Sequence, residues 1–304
     1  MDETSDGGPV RTKQLAQQDP ILIVGAPRSG TTWLHRLLLA DDRFCGGQES
    51  HFFDSFAGVL RDFDRKLGMQ RPHGLACAWT REELLEELRA LWTRTMQPAI
   101  TGRPEAIRLV EKTPDHARHL DVISQVLPQA RIIHLVRDSR AVTASLLAAY
   151  RDGWGREWAT GNAKVAARIW KTFVEEAESA SEALAPENYL RLHFEHLRAD
   201  PQAVLARAMS FARVDASTED LERTVRGIAE ATSERPQENG YVLGGELSNR
   251  TVEEPDGFVR TGSTDGWRKE LGRRQSRVVW RETWELMERL GYHRDGSLDG
   301  SANE

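Results

Sequence analysis

The sequence predicts an α/β fold in which a parallel central sheet is flanked by helices. Short, continuous apolar runs of the kind found in buried strands occur at 21–25, 130–137 and 189–194. Stretches with helical periodicity separate these runs, and strands that alternate with helices form parallel sheets. A glycine-rich loop follows the first run directly, at the edge of such a sheet where ligands bind.

The elements follow in order along one domain, which we expect to span 19–293. The polar stretch 1–18 predicts a disordered tail, and the stretch 294–304 predicts a second one. Residues 57–107 are mostly helical in pattern and predict a helical insertion or lid. The stretch 231–266 is rich in Gly, Pro, Asn and Ser, which predicts a long flap loop before a last helix.

Helices are also predicted after each of the later apolar runs. Asp138 or Ser139 can cap the helix that follows the run at 130–137. Helical patterns at 162–184 and 201–213 flank the third run, and the last helix is expected from about Arg274 to Leu290. These helices supply the layers that cover a parallel sheet on both faces.

Composition narrows the class of protein. The chain of 304 residues is 39% hydrophobic and 29% charged, has no apolar run of membrane-spanning length and shows no secretory leader. We therefore expect a cytoplasmic protein. The formal net charge of -6 argues against broad binding to nucleic acid or to an anionic membrane. The isolated Cys45 and Cys77 indicate neither a disulfide framework nor a zinc site, and we expect no metal.

The loop GAPRSGTTW, residues 25–33, has the glycine spacing of a phosphate-binding loop. Such a loop directs several backbone N–H groups at one point, and the dipole of the following helix adds partial positive charge. A nucleoside triphosphate site requires a lysine after the second glycine, but that position is Thr31, and the cation of this loop is Arg28. This pattern disfavours magnesium ATP, with a degenerate kinase loop as the alternative.

PRSGTTW resembles the 5′-phosphosulfate loop of sulfotransferases that use 3′-phosphoadenosine-5′-phosphosulfate (PAPS) and release 3′,5′-adenosine diphosphate (PAP). The resemblance implies a P-loop NTPase-like sulfotransferase fold. It also implies that the donor is bound by Arg28, Ser29, Gly30, Thr31 and Thr32. Trp33 stands where cytosolic members of the family stack the adenine, and a plain core residue of the first helix is the alternative interpretation.

The segment RDSRAVTAS supplies the second half of the family signature, in which an arginine and a serine bind the 3′-phosphate. Arg137 and Ser145 have this spacing. Because Ser145 lies about two helical turns beyond the strand end, both side chains can reach one phosphate. A surface salt bridge and a helix hydroxyl bonded to its own backbone are the alternative. RTGSTDGW resembles the family's third element and implies roles for Arg260 and Gly262, although Thr261 replaces the usual lysine.

The reaction requires a base for the acceptor hydroxyl and cations for the leaving oxygen. QESHFFDSF resembles a pattern of heparan-sulfate-type sulfotransferases, which implies that Glu49 is the base, supported by His51 and Asp54. EKTPDH resembles another landmark of the family, which makes Lys112, with Arg28, the candidate for stabilising the leaving oxygen. His116 is the rival base.

The motifs combine features of small-molecule sulfotransferases with features of carbohydrate-type sulfotransferases. The resemblance therefore does not assign the class of acceptor. We expect a small-molecule hydroxyl acceptor, apolar or aromatic in character. Its pocket is expected to draw on Phe52, Phe53, Asp54, His116 and Trp154. An ATP-dependent kinase and a non-catalytic nucleotide-binding protein of the same fold are the alternatives. Both a monomer and a homodimer are compatible with the sequence.

Overall fold

The computed structural model describes residues 7–182, 184–233, 241–242, 251–252 and 262–300. The strands are β1 (Ile21–Val24), β2 (Phe44–Cys45), β3 (Arg108–Lys112), β4 (Arg131–Val136), β5 (Tyr189–His193), β6 (Tyr241–Val242) and β7 (Thr251–Val252). The helices are α1 (Gly7–Gln17), α2 (Thr31–Leu39), α3 (Phe52–Leu67), α4 (Arg81–Thr101), α5 (Leu120–Val126), α6 (Ser139–Arg151), α7 (Ala163–Ser181), α8 (Phe194–Ala199), α9 (Pro201–Phe211), α10 (Thr218–Ser233), α11 (Trp267–Glu270) and α12 (Arg273–Arg289).

The central sheet has five strands in the order β2-β3-β1-β4-β5, and every pair in it is parallel. This arrangement confirms the predicted α/β class and the strands predicted at β1, β4 and β5. The sequence did not predict β2 and β3. Because all five strands run the same way, the loops that follow β1, β3 and β4 lie side by side at one edge.

Side chains that alternate along each strand separate the core into two layers. Ile21 and Ile23 of β1 pack with α2 and α9 on one face of the sheet. Leu22 and Val24 pack on the other face with α3, α4 and α7. This is the period of two that a strand imposes on its side chains. The helices predicted within 57–107 are present as α3 and α4, and both contribute to this second layer.

Both tails were expected to be disordered, but the residues of them that the structure describes are ordered. Residues 7–17 form α1, which is not disordered, because Ala16 is fully buried and its carbonyl accepts a hydrogen bond from Trp92 Nε1 at 2.7 Å. Near the other end, Tyr292 and Leu298 form an isolated antiparallel bridge. Arg140 donates to the carbonyl of Arg294 at 2.8 Å, which ties this segment to α6.

The predicted flap at 231–266 lies mostly outside the described residues, and Arg260 lies outside them as well. Its described parts are the end of α10, the antiparallel pair of β6 and β7, and residues 262–266. None of the described helices combines the length and apolar character that a membrane crossing requires.

Gly30 sits at a position where only glycine fits. Its φ is 93°, and an added Cβ would lie 2.3 Å from Cδ2 of the Phe194 ring. We expect Gly30→Ala to lower the free energy of unfolding by about 2 kcal/mol or more, because backbone strain and overpacking add. Gly58 in α3 is the matched control, since an added Cβ there meets nothing within 4 Å. Gly58→Ala should raise the same quantity by about 0.5–1 kcal/mol. Urea unfolding of both variants tests this, and shifts of equal sign would contradict it.

Candidate active site

The glycine loop joins the end of β1 to the start of α2 and forms a concave backbone surface. The first N–H groups of α2 have no intrahelical partners and carry the positive end of the helix dipole. Ser29 is fully buried, and its hydroxyl has no hydrogen-bond partner among the described residues. A buried donor of this kind together with free amide groups suits an anionic ligand.

Arg28 contacts both Ser145 and Arg137 at the mouth of this loop. Arg28 Nε donates to Ser145 Oγ at 2.9 Å. Arg137 donates to the carbonyl of Arg28 at 3.0 Å and to the carbonyl of Ser263 at 2.9 Å. Arg28 therefore connects the three elements, since its side chain contacts Ser145 of α6 and its carbonyl contacts Arg137 after β4.

Packing holds Arg137 in this place. Its guanidinium lies 4.1 Å from the centroid of the Phe194 ring, and its own carbonyl accepts a hydrogen bond from Trp170 Nε1 at 2.8 Å. A cleft of about 270 Å³ opens beside it. The cleft is lined by Glu195, Arg198, Ala199, Gly262, Ser263 and Thr264. Gly262 is thus at the site, with a φ of 62° that favours glycine.

Trp33 is half-buried and lies against Arg198, one of the residues that line this cleft. Its ring meets Phe194 edge-on at 6.1 Å, and the guanidinium of Arg198 lies 4.9 Å from its centroid. The side chain also packs against the buried residues of α2. The ring therefore packs against core residues and also contacts the guanidinium of Arg198. Its stacking with adenine stays a prediction.

Glu49 and Lys112 form an ion pair at the end of β3, next to the phosphate loop. Lys112 Nζ donates to Glu49 Oε1, and His51 Nε2 lies 3.3 Å from the other carboxylate oxygen. The side chain of Lys112 is 5% exposed, and that of Glu49 is 27% exposed. Burial acts to raise the pKa of Glu49, but the hydrogen bond from His51 and the charge of Lys112 outweigh it and lower the pKa.

His51 links Glu49 to a second carboxylate. Its Nδ1 lies 2.8 Å from Asp54 Oδ2, and the other oxygen of Asp54 lies 3.0 Å from His119 Nε2. The hydrogen bonds to Asp54 and Glu49 raise the pKa of His51 to about 10. His51 is therefore an imidazolium at neutral pH, and Glu49 lies between two cationic side chains.

The sequence showed no cluster of metal ligands, but the fold brings three candidates together. His51, Asp54 and Asp115 each offer one ligand atom, and these atoms lie within 4.8 Å of one another. In this structure the two ring nitrogens of His51 are engaged by the carboxylates of Glu49 and Asp54.

Residues 20–219 match the model of a sulfotransferase family. The chain belongs to the sulfotransferase family. The matched residues include the phosphate loop, Glu49, Lys112, Arg137 and Ser145.

Known sulfotransferases resemble this chain in sequence and in fold. Omega-hydroxy-beta-dihydromenaquinone-9 sulfotransferase Stf3 of Mycobacterium tuberculosis (strain CDC 1551 / Oshkosh) is 27% identical over 238 residues, with 62% of this chain and 61% of that protein covered. The chain thus spans less than two thirds of that relative. The sulfotransferase domain from the curacin biosynthetic pathway has a TM-score of 0.55 at 18% identity, covering 88% of this chain and 97% of its own. Mouse sulfotransferase SULT7A1 complexed with PAP has a TM-score of 0.55 at 16% identity, covering 94% and 90%.

Three residues expected to line the acceptor pocket of the sulfotransferase are in the core. Phe52 and Phe53 are 3% and 0% exposed and pack against the buried Trp92. His116 is fully buried against Phe53, with ring centroids 5.1 Å apart. The apolar face of α3 is covered by α4, which accounts for the burial of Phe52 and Phe53, and their place in an acceptor pocket, like that of His116, stays a prediction.

Trp154 and Asp54 are the expected acceptor residues that stay accessible. Trp154 is half-buried, with the Arg28 guanidinium 5.1 Å from its ring centroid and Trp158 5.5 Å away. Two buried residues beside Lys112 were not singled out from the sequence. They are Glu111 and Thr113, which flank Lys112 and are 2% and 0% exposed. The sequence feature that could have identified them is a charged and a polar residue at the end of a strand.

Proposed function

We propose that this sulfotransferase moves a sulfuryl group from PAPS to a hydroxyl of a small-molecule acceptor, with Glu49 as general base. One observation carries the proposal. The Glu49–Lys112 pair ends β3, Arg28 follows β1 and Arg137 follows β4, and these three strands are neighbours in the order β3-β1-β4. On this proposal the base, the phosphate cradle and the second phosphate site would lie in a row along one edge of the sheet.

The chain's own groups fit the two anionic ends of the donor. Backbone N–H groups, Arg28 and the buried Ser29 hydroxyl suit the phosphosulfate, and Arg137 with Ser145 suits the 3′-phosphate. The donor supplies an activated sulfuryl group and a phosphate leaving group. Residue 31 is a threonine where a triphosphate site has its lysine, which argues against ATP.

Glu49 takes the proton of the acceptor hydroxyl as the acceptor oxygen bonds to sulfur and the bond from sulfur to the phosphate oxygen breaks. Lys112 and Arg28 stabilise the negative charge that grows on that oxygen. Lys112 is almost buried, so its charge acts with little screening by solvent. Glu49 is favoured over His116 as base, because His116 Nε2 accepts the N–H of Phe53 and its Nδ1 lies 3.1 Å from Glu111 Oε2.

The acceptor is proposed to carry a flat apolar portion. Trp154 packs beside Arg28, and the neighbouring Trp158 and Tyr150 are 42% and 41% exposed. Exposed aromatic side chains next to a reacting centre provide area for an apolar ligand. Stf3, the mycobacterial relative, is named for an omega-hydroxy-beta-dihydromenaquinone-9.

Calorimetric titration tests the proposal with PAP, 5′-AMP and magnesium ATP as ligands. We expect PAP to bind at least tenfold more tightly than either of the others, because only PAP presents a 3′-phosphate to Arg137 and Ser145. Preference for magnesium ATP would identify a kinase and end this proposal. Transfer is then assayed with labelled PAPS and a panel of hydroxylated aromatic compounds.

A further inference from the structure

The loop that carries Glu49 and His51 is held through four consecutive backbone N–H groups, each bonded to a side chain. The bonds run from Ser50 N to Glu111 Oε1 (3.0 Å), His51 N to Thr113 Oγ1 (3.3 Å), Phe52 N to Ser50 Oγ (3.3 Å) and Phe53 N to His116 Nε2 (3.3 Å). Three of the four acceptors belong to the stretch 111–116, which ends β3 and follows it. The site's loop is therefore clamped by the strand next to it.

Glu111 is the centre of this clamp. It is 2% exposed, and its Oε1 also accepts from the hydroxyls of Ser50 at 2.9 Å and Thr113 at 2.6 Å. His116 Nδ1 lies 3.1 Å from its Oε2. Burial by itself would raise the pKa of Glu111, but His116 and the hydrogen bonds from Thr113 and Ser50 lower it to about 2. The group is therefore a buried carboxylate that both hydroxyls and the histidine hold in place.

The clamp explains an unusual backbone. His51 has a φ of 47° and a ψ of 26°, a left-handed conformation that costs free energy for a residue with a side chain. No side chain of its own caps α3 at this residue. The four bonds offset this cost, since they satisfy N–H groups that a helix start leaves without partners. In this conformation the His51 ring bridges Glu49 and Asp54.

We propose that Glu111 is a positioning residue, which acts through Ser50, Thr113 and His116 to hold Glu49 and His51 in their paired arrangement. Glu111 itself does not touch the reacting groups. Its catalytic consequence rests on the function proposed above for Glu49. Its structural consequence, the bridging of Glu49 and Asp54 by His51, is independent of that function and can be measured directly.

The test is an NMR titration of the His51 ring in protein labelled on histidine, with His51→Gln used to assign the signal. The wild-type ring should titrate several pH units above an ordinary histidine, because Glu49, Asp54 and Asp115 face it. Glu111→Gln keeps the size of the side chain but loses the charge. We expect it to lower the His51 pKa by more than one unit, as the loop relaxes and the bridge opens.

Glu178→Gln is the matched control. Glu178 also pairs with a buried histidine, His134, at 3.6 Å, and its pKa is likewise lowered to about 2, but it lies in α7 away from the loop. This control should leave the His51 titration unchanged. A folded Glu111→Gln protein with a wild-type His51 titration would overturn the proposal, whatever reaction the protein catalyses.

Thr113→Val provides the same test if Glu111→Gln fails to fold, because it removes the acceptor of the His51 N–H and a donor to Glu111. A shift of His51 in the same direction supports the proposal, and no shift overturns it. For the transfer reaction we expect Glu111→Gln to lower kcat at least tenfold with PAP affinity unchanged. Parallel losses of PAP affinity and kcat would instead indicate general structural damage and overturn it.

Discussion

Glu49→Gln should reduce sulfuryl transfer by a factor of about 10²–10⁴, the range that a positioned general base contributes. The amide keeps the shape of the side chain but cannot accept the acceptor's proton. Affinity for PAP should change less than about threefold, because the phosphate contacts belong to the loop after β1 and to Arg137 and Ser145. The transfer rate is measured with labelled PAPS, and the affinity for PAP is measured by calorimetry.

The pH profile of the wild-type protein identifies the base independently. The pKa of Glu49 is lowered from 4.5, so its carboxylate stays ionised as the pH falls through the range in which an ordinary histidine gains its proton. The acid limb of kcat/KM should therefore lie below about pH 4.5, and Glu49→Gln should remove it. A limb between about pH 6 and 7 would identify a histidine base instead.

Asp62→Asn is the control for this pair of measurements. Asp62 lies on the same helix as Asp54, but it is exposed and pairs only with Arg65 and Lys66 among the described residues. Its substitution should change neither transfer nor binding. A loss of transfer in Glu49→Gln accompanied by an equal loss of PAP affinity would contradict the role of Glu49 as base.

The sequence sufficed for those parts of the fold that depend on continuous apolar runs. Strands β1, β4 and β5 follow such runs, with Arg137 at the end of β4 and Ser145 about two turns along α6. These are local patterns, in which the residues that define an element are neighbours in the chain. The elements that carry the proposed phosphate-binding residues were accordingly predictable.

The part of the site around Glu49 was less predictable, because it depends on contacts between residues far apart in the sequence. Strand β3 reads RLVEK, with only two apolar residues, and its Glu111 and Lys112 are buried because partners from the loop at 49–51 satisfy them. Charged residues signal a surface unless those partners are known. The burial of Phe53 is likewise non-local, since Trp92 of α4 covers it.

Arg137→Ala should weaken PAP binding by about 100-fold or more, which corresponds to about 2.7 kcal/mol. A guanidinium that donates to a dianionic phosphate in a partly enclosed site contributes at this scale. The same change should weaken 5′-AMP binding by less than about threefold, because that ligand has no 3′-phosphate. The selectivity of the site for PAP over 5′-AMP should therefore collapse.

The comparison of two ligands separates recognition from folding. Arg137 also donates to the carbonyls of Arg28 and Ser263, so its loss disturbs the loop, but that disturbance acts on both ligands alike. Arg131→Ala is the matched control at the other end of β4, where the arginine likewise donates to a carbonyl, that of Phe211, and lies 5.6 Å from its ring. It should preserve the selectivity. Equal weakening of PAP and 5′-AMP in Arg137→Ala would show that the arginine supports the loop without contacting a 3′-phosphate.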